Sequence, residues 1–324
     1  MIRYVQPLLK WPGGKTGELD TILPRIPRDM TGYREPFVGG GAVLWNIPSA
    51  VPAIIGDASV DLISFYGLVK SPTPSFESML DKACSAWEAS DTSWEEVSDI
   101  MVLSGLTPDG WNGGMPISRA RGNGPSDERH DRKAALYNLW REGFNARLGQ
   151  TGEERAVGFW LMRELAYNGM FRSNSKGGFN VPYGGRSYDG RNLRAKAARI
   201  TSPLHRDRLT CSTLVRGDFA SIVDGAGDGD FVFLDPPYDS PFSSYDGNGF
   251  GRKDHTRLAS ALDGLAGCAK WMLVIASTPF VEETYLGVRD ARVLLRSAIR
   301  YKSNIKNRYE GRAEHLVVTN YLPG

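Results

Sequence analysis

The sequence predicts an α/β fold in which a mostly parallel sheet is interrupted by a long helical insertion. Three observations predict it. Strand-like and helix-like stretches alternate over residues 33–70, amphipathic helical stretches then follow one another without strands, and short β-rich apolar runs return from Leu214 onward. We therefore expect a sheet that begins near the N-terminus and is completed by the C-terminal half.

The first elements form half of a Rossmann-type pattern. They are a strand over Tyr33–Phe37, a glycine turn, a helix over Ala42–Asn46, a strand over Ala53–Gly56 and a helix over Val60–Val69. The turn contains Gly39, Gly40 and Gly41, which let a backbone approach a ligand at a helix N-terminus. Asp57 ends the next strand, where a carboxylate can accept hydrogen bonds from ribose hydroxyls, although a capping or turn role is an alternative. Because Gly-x-Gly-x-x-Gly spacing is missing, a nucleoside without a pyrophosphate fits better than a dinucleotide.

The middle of the chain is predicted to be an inserted, mostly helical domain. Its helical stretches are Phe76–Trp87, Trp94–Leu103, Ala134–Leu148 and Ala156–Tyr167, separated by loops rich in Gly and Pro. The predicted boundaries are residues 71–199 for this domain, and residues 1–70 together with 200–324 for the sheet domain.

Charge is distributed unevenly although the net charge is only +2. Residues 71–118 carry 1 basic and 8 acidic side chains, whereas residues 119–208 carry 18 basic and 9 acidic side chains. A basic region interleaved with aromatic residues is typical of a polyanion-binding surface. The alternative is a solvated helical face above core aromatics, and we expect many aromatics on the helices to be core. A solvated helical surface is the favoured interpretation of the acidic segment, and a regulatory or partner-binding face is the alternative.

The C-terminal half supplies the remaining strands and the most informative motif. The expected strands are Leu214–Arg216, Phe231–Leu234, Trp271–Ala276, Val293–Arg300 and Leu316–Tyr321. Asp235-Pro236-Pro237-Tyr238 follows the second of these, at the strand end where open α/β sheets bind ligands. The prolines stiffen the backbone and cannot donate, so the Asp235 carboxylate and the Pro236 carbonyl are acceptors beside an aromatic ring. This set suits a flat ring that bears an amino group, and an ordinary strand-ending turn is the alternative.

The segment Trp11-Pro12-Gly13-Gly14-Lys15-Thr16 resembles the end of a phosphate-binding P-loop. The P-loop requires Gly five positions before its second Gly, and this chain has Leu9 there. The spacing therefore excludes that motif and leaves a glycine-rich turn that offers Trp11 and Lys15 to a ligand.

Several classes are disfavoured by composition. The three cysteines and four histidines are scattered, so we expect no metal site. No signal region or apolar stretch of roughly 18 residues is present, which predicts no membrane segment and a cytoplasmic location.

Five separated segments, in order, resemble the Dam-type (D12 class) N6-adenine-specific DNA methyltransferases. They are Leu9–Lys15, Glu35–Gly41, Asp57–Ile63, Tyr167–Gly169 with Phe179–Gly184, and Asp235–Tyr238. The resemblance covers nearly the whole chain apart from about residues 71–155. It implies a Rossmann-like methyltransferase sheet, an inserted target-recognition domain, S-adenosylmethionine as cofactor and double-stranded DNA as substrate.

The resemblance also implies roles for individual residues. The catalytic motif would be Asp235, Pro236, Pro237 and Tyr238. Asp235 and Pro236 would hold the amino group of a flipped adenine, and the adenine ring would stack on Tyr238. The implied cofactor contacts are Trp11, Lys15, Phe37, Gly39, Gly41, Asp57, Asp218, Phe219 and Asp235, with Asp218 and Phe219 beside the cofactor's adenine.

Target recognition is expected in Tyr167–Gly184, whose composition predicts a β-hairpin with a flexible tip. The implied DNA contacts are Asn168, Gly169, Met170, Arg172, Asn180 and Pro182. Arg172 would read a guanine, and a phosphate contact is the alternative. A GATC-like target is the family's precedent, but Met170 stands where family members often have Leu. The sequence leaves open a companion restriction endonuclease and a bacterial or phage origin.

Two other function classes remain open from the residues. A protein or RNA N-methyltransferase also uses a proline-rich acceptor motif, but its typical leading residue is Asn and not Asp235. A non-catalytic DNA-binding module would be expected to lack Asp235 or Tyr238, and both are present.

Overall fold

The computed structural model describes residues 4–116, 127–239, 250–299 and 313–323. In chain order its helices are α1 (Leu19–Ile22), α2 (Val60–Lys70), α3 (Pro74–Ala89), α4 (Trp94–Val102), α5 (Glu128–Ala146), α6 (Glu153–Leu165), α7 (Arg186–Asp189), α8 (Leu193–Ile200), α9 (Pro203–Thr210), α10 (Ala220–Val223), α11 (Arg252–Gly264) and α12 (Pro279–Leu286). Short 3-10 helices span Lys15–Glu18, Leu23–Arg25, Leu44–Asn46 and Tyr167–Gly169.

The strands form one seven-stranded sheet. They are β1 (Gly32–Glu35), β2 (Ala53–Asp57), β3 (Ser212–Arg216), β4 (Asp230–Leu234), β5 (Lys270–Ala276), β6 (Arg292–Ile299) and β7 (Ala313–Thr319). Their order is β3-β2-β1-β4-β5-β7-β6. The first five are parallel, and β7 is antiparallel to both β5 and β6. The mixed α/β class is therefore confirmed.

The described chain divides into two compact units. One contains residues 1–6, 15–59 and 211–324, and so carries the whole sheet. The other contains residues 7–14 and 60–210, and is helical. The functional domain boundaries at residues 71 and 199 stay a prediction.

The middle strands of the sheet contribute to the hydrophobic core of the sheet unit. Strand β4 is buried over Phe231–Leu234, as its continuous apolar run predicts. Trp271, Leu273 and Ile275 on β5 are fully buried in the same hydrophobic core. The strand order reverses between β1 and β4, so the C-terminal ends of these two strands mark the position where open α/β sheets bind ligands.

The helical unit is built around buried aromatic side chains. Trp87 on α3 stacks on Trp140 on α5, with ring centroids 6.2 Å apart. Phe144, Phe159 and Trp160 are also buried, which confirms that the aromatics on these helices belong to the core. Helix α3 begins where Thr73 accepts a hydrogen bond from the Phe76 N–H and Pro74 occupies the first turn.

The segment Tyr167–Gly184 contains isolated antiparallel bridges, so a regular β-hairpin is not confirmed. The bridges join Ala166 to Tyr183 and Ser173 to Phe179. At the tip, the Asn174 side chain accepts hydrogen bonds from the N–H groups of Lys176 and Gly178. A side chain that satisfies backbone donors competes with a regular strand ladder, and Pro182 provides no N–H.

The other helices and strands that the sequence predicts begin and end within a few residues of their predicted boundaries. The predicted helix Ala42–Asn46 is only a 3-10 turn over Leu44–Asn46. Arg300, the predicted end of β6, lies outside the described residues, as do residues 117 and 118 of the acidic segment.

Candidate active site

The Asp235–Tyr238 tetrapeptide leaves the C-terminal end of β4, where the sequence predicted it. Strand β4 ends at Leu234. The Asp235 side chain keeps 20% of its accessible surface, so it is recessed but reachable. Burial raises the pKa of the Asp235 carboxyl, and the neighbouring Lys15 ammonium opposes that rise.

Lys15 binds two members of the tetrapeptide. Its Nζ lies 2.5 Å from Asp235 Oδ1 and donates to the Tyr238 hydroxyl at 2.9 Å. The same ammonium lies 5.2 Å from the centroid of the Tyr238 ring. Lys15 is 2% exposed and comes from the 3-10 turn Lys15–Glu18. The structure therefore brings Lys15 to the Asp235–Tyr238 tetrapeptide, a contact that the sequence did not indicate.

Glu35 is a buried carboxyl group at the end of β1, next to β4 in the sheet. It is 2% exposed and accepts a hydrogen bond from the Tyr33 hydroxyl at 2.8 Å. The pKa of Glu35 is raised to about 8, mainly by burial and also by the charges of Asp235 and Asp57, while hydrogen bonds from Tyr33 and the Leu44 backbone oppose the rise. A carboxyl group with this pKa is mostly protonated at neutral pH.

The glycine turn after β1 is shaped by left-handed backbone conformations. Gly39 and Gly41 have φ of +46° and +70°. A Cβ atom on Gly41 would lie 2.7 Å from Nε1 of Trp45, whose indole donates to the Gly40 carbonyl. Both a side chain and an ordinary backbone conformation are therefore excluded at Gly41.

Asp57 closes this turn from the end of β2. Its Oδ2 accepts from the Gly39 N–H at 3.1 Å, and its Oδ1 accepts from the Ser59 N–H at 2.9 Å. Asp57 is partly exposed. Its carboxylate therefore holds the glycine turn from the end of the neighbouring strand.

Phe37 and Phe219 form an aromatic wall in the same unit. Their ring centroids are 5.6 Å apart, and Phe250 packs edge-on against both. Asp218 caps the turn before α10 by accepting from the Ala220 N–H, and it forms an ion pair with Arg257 at 3.0 Å.

His315, which pairs with Glu18, contacts the ring of Tyr238. His315 Nδ1 is 3.0 Å from Glu18 Oε2, and the imidazole contacts the Tyr238 ring edge-on with centroids 5.3 Å apart. No motif in the sequence pointed to these two residues, because they lie 297 positions apart and meet only when β7 joins the sheet.

The helical unit holds Trp11 and the predicted DNA contacts. Trp11 packs against Phe159, and the Arg163 guanidinium lies 4.0 Å from the centre of the Trp11 ring. Lys10 lies over the Tyr188 ring at 5.3 Å, and burial lowers the pKa of Lys10 to about 8.

The predicted DNA contacts in Tyr167–Gly184 present several exposed groups. Asn168 has φ of +53° and is exposed, and Met170 is 37% exposed. Arg172 is exposed and donates from Nε to Asn180 Oδ1 at 3.0 Å, while Pro182 is also exposed. The hydrogen bond to Asn180 uses Nε of Arg172 and so restrains the orientation of the guanidinium.

In the described ranges, no group of three or more His, Cys, Asp or Glu side chains could hold a metal ion. Over the same residues, none of the helices is both long enough and apolar enough to cross a membrane.

The seven-stranded sheet, with its reversed β7, is consistent with the fold of the methyltransferase class. Residues 11–300 match the family described as D12 class N6 adenine-specific DNA methyltransferase. The chain belongs to this family. It is accordingly an adenine-specific DNA methyltransferase, as the resemblance of its motifs predicted.

Similar proteins come from bacteria and archaea. The chain is 31% identical over 340 residues to the type II methyltransferase M.MjaIII of Methanocaldococcus jannaschii, covering 98% of this chain and 99% of the relative. It is 27% identical over 326 residues to the type II methyltransferase M1.LlaDCHI of Lactococcus lactis subsp. cremoris, covering 98% and 96%. It is 26% identical over 304 residues to the DNA adenine methylase of Haemophilus influenzae, covering 91% and 87%.

Proposed function

We propose that this methyltransferase uses S-adenosylmethionine to methylate N6 of an adenine flipped out of duplex DNA, with Asp235, Pro236 and Tyr238 holding the base. The observation that carries the proposal is the contact of Lys15 with both Asp235 and Tyr238, because it fixes an acceptor and an aromatic ring relative to each other. The remaining steps rest on the chemistry of the groups around them.

The residues of the sheet unit fit the proposed cofactor. The turn has no side chain at Gly39, Gly40 or Gly41, which leaves bare backbone for a close ligand. Asp57 is the proposed acceptor for the ribose hydroxyls, and Phe37 with Phe219 offers an apolar wall for an adenine ring. Trp11, Lys15 and Asp218 remain proposed cofactor contacts. When bound, S-adenosylmethionine supplies an electrophilic methyl group on a sulfonium.

The chain's own residues then supply mainly position. Adenine N6 is a weak nucleophile because its lone pair is delocalised into the ring. Asp235 and the Pro236 carbonyl accept hydrogen bonds from the amino group, which draws the nitrogen toward tetrahedral geometry and directs its lone pair. Tyr238 stacks on the base, which offsets part of the cost of leaving the duplex, on the order of a few kcal/mol.

The ionised form of Asp235 is the working form, because a protonated carboxyl is a poorer acceptor. Lys15 favours that form against the effect of burial. We therefore assign Lys15 a second role, which is to keep Asp235 ionised while its hydrogen bond orients the Tyr238 ring.

The decisive experiment is methyl transfer from labelled S-adenosylmethionine to unmethylated, mixed-sequence duplex DNA. We expect label in N6-methyladenine with the intact protein and none with Asp235→Ala. Asp228→Ala is the matched control, because Asp228 is an exposed carboxylate before the opposite end of β4. Absence of incorporation by the intact protein would reject the proposed function, and full activity of Asp235→Ala would reject the assigned role.

We further propose that the exposed face of Tyr167–Gly184 reads the DNA sequence, with Arg172 contacting a guanine. The accompanying contacts are Asn168, Met170, Asn180 and Pro182, whereas Gly169, also predicted as a contact, is buried and does not belong to this face. Sequencing of the methylated DNA identifies the target, for which a GATC-like site is the first hypothesis.

Two substitutions distinguish base reading by Arg172 from a phosphate contact. A bidentate contact to guanine contributes about 1–3 kcal/mol, and Lys cannot reproduce its geometry. We therefore expect Arg172→Lys and Arg172→Ala to relax the sequence preference equally, at unchanged cofactor affinity. Preference retained by Arg172→Lys but not by Arg172→Ala would identify a phosphate contact instead.

A further inference from the structure

The 3-10 turn Lys15–Glu18 contributes two charged side chains to the surroundings of the catalytic motif. Lys15 at its start binds Asp235 and the Tyr238 hydroxyl. Glu18 at its end faces His315 on β7, with 3.0 Å between Oε2 and Nδ1. A single turn therefore carries both the residue that binds the Tyr238 hydroxyl and the partner of His315.

His315 is held firmly in this position. It is 2% exposed and lies in register with Ala276 across the antiparallel pair of β5 and β7. Its imidazole meets the Tyr238 ring at an interplanar angle of 77°, which is the edge-to-face arrangement that aromatic rings favour. The phenol is thus restrained at its hydroxyl by Lys15 and at its ring by His315.

We infer that Glu18 and His315 are positioning residues for methyl transfer, which hold the Tyr238 ring and adjust how strongly Asp235 accepts a hydrogen bond. The inference rests on the proposed roles of Asp235 and Tyr238. It extends the site from the tetrapeptide after β4 to residues at both ends of the chain.

The charges around Asp235 act in opposite directions. Burial raises the pKa of Asp235, Lys15 and a protonated His315 lower it, and the Glu18 carboxylate raises it. Glu35 on β1 also faces this charge, because the Asp235 carboxylate raises the pKa of Glu35. Neutralising Glu18 must therefore favour the ionised carboxylate, whereas removing the imidazole must disfavour it.

Because Glu18 and His315 act on Asp235 in opposite directions, their substitution should shift the pH profile in opposite directions. A purely structural role of the pair would not produce opposite shifts. We would measure the pH dependence of kcat for methyl transfer to DNA with Glu18→Gln and His315→Phe, since phenylalanine keeps a ring against Tyr238 but cannot be charged. The acid limb is expected to move to lower pH in Glu18→Gln and to higher pH in His315→Phe, by on the order of half a pH unit each. Glu314→Gln is the matched control, because Glu314 is the neighbouring residue on β7 and pairs with Arg296 instead.

The ring contact has its own test. His315→Asn removes the ring but keeps a polar group that can pair with Glu18, so it should lower kcat several-fold more than His315→Phe, with cofactor affinity unchanged. Equal kcat values for these two variants would reject the ring contact.

The outcomes separate the inference from the function on which it rests. Limb shifts in the same direction, or none in either variant, would overturn the pair's role while the intact enzyme still methylates DNA. Inactivity of the intact enzyme would reject the proposed function itself. If His315→Phe fails to fold, Glu18→Gln decides alone, and an unmoved acid limb in that variant rejects the inference.

Discussion

Replacing Glu35 with Gln should stabilise the protein at neutral and alkaline pH. Glu35 is buried, and its pKa rises from 4.5 to about 8 on folding. Gln has the same shape as the protonated acid, so its amide oxygen can accept from the Leu44 backbone and its NH2 can donate to the Tyr33 hydroxyl. The variant therefore keeps a hydrogen bond to each partner, with the direction reversed at Tyr33, and removes the cost of taking up a proton at Glu35 on folding.

The magnitude follows from linkage between protonation and folding. Between pH 4.5 and 8 the folded state holds a proton at Glu35 that the unfolded state has released, so stability falls as pH rises. Each pH unit in that window costs the intact protein about 1.4 kcal/mol, and the cost at pH 7 approaches roughly 3 kcal/mol. The advantage of Glu35→Gln should grow with pH at that slope and level off above pH 8.

The assay is urea unfolding of both proteins at several values from pH 5 to 8.5. Asp29→Asn is the control, because Asp29 is exposed and its partner Lys270 lowers the pKa of its carboxyl. Any pH dependence of stability that Asp29 contributes therefore lies below the pH range of this assay. A stability difference between Glu35→Gln and the intact protein that stays constant across this range would refute the argument. It would mean that Glu35 titrates as an exposed carboxyl group does.

Two further predictions concern other parts of the chain. Gly41→Ala should weaken cofactor binding and lower the free energy of unfolding by about 1–3 kcal/mol, because the new Cβ would meet Trp45 and Gly41 has a φ of +70°. Calorimetric titration measures the cofactor affinity and urea unfolding measures the stability. Unchanged cofactor affinity would contradict the prediction. Arg163→Lys should lower stability by about 1–2 kcal/mol, because the buried guanidinium lies between the Trp11 and Phe171 rings at 4.0 and 4.3 Å. Arg186→Lys is its exposed control, and equal unfolding midpoints for the two variants would show that the stack contributes nothing.

The sequence predicted the elements whose signal is local. The apolar run of β4 and the prolines after it located both the strand and its end, because burial and proline geometry act within a few residues. Helix α3 was also predicted, and the structure adds only its cap at Thr73.

The sequence could not predict contacts that depend on how distant segments meet. Lys15 was expected to offer a cation to a ligand, yet its described partners are Asp235 and Tyr238, 220 and 223 positions away. Glu35 belongs to the Glu35–Gly41 segment, but the rise in its pKa depends on burial that sequence spacing does not reveal. The Tyr167–Gly184 segment has hairpin composition, whereas its backbone donors are partly satisfied by the Asn174 side chain.

The position of β7 constrains the order in which the protein can assemble. Strand β6 is made first but pairs only with β7 among the described strands, and β7 alone joins it to β5. During synthesis β6 therefore has no place in the sheet until residues 313–319 have emerged. The same strand delivers His315 to Tyr238, so the sheet edge and this side of the Asp235–Tyr238 tetrapeptide are completed together. A nascent chain that already carries the whole Asp235–Tyr238 motif would still lack one of that motif's supports.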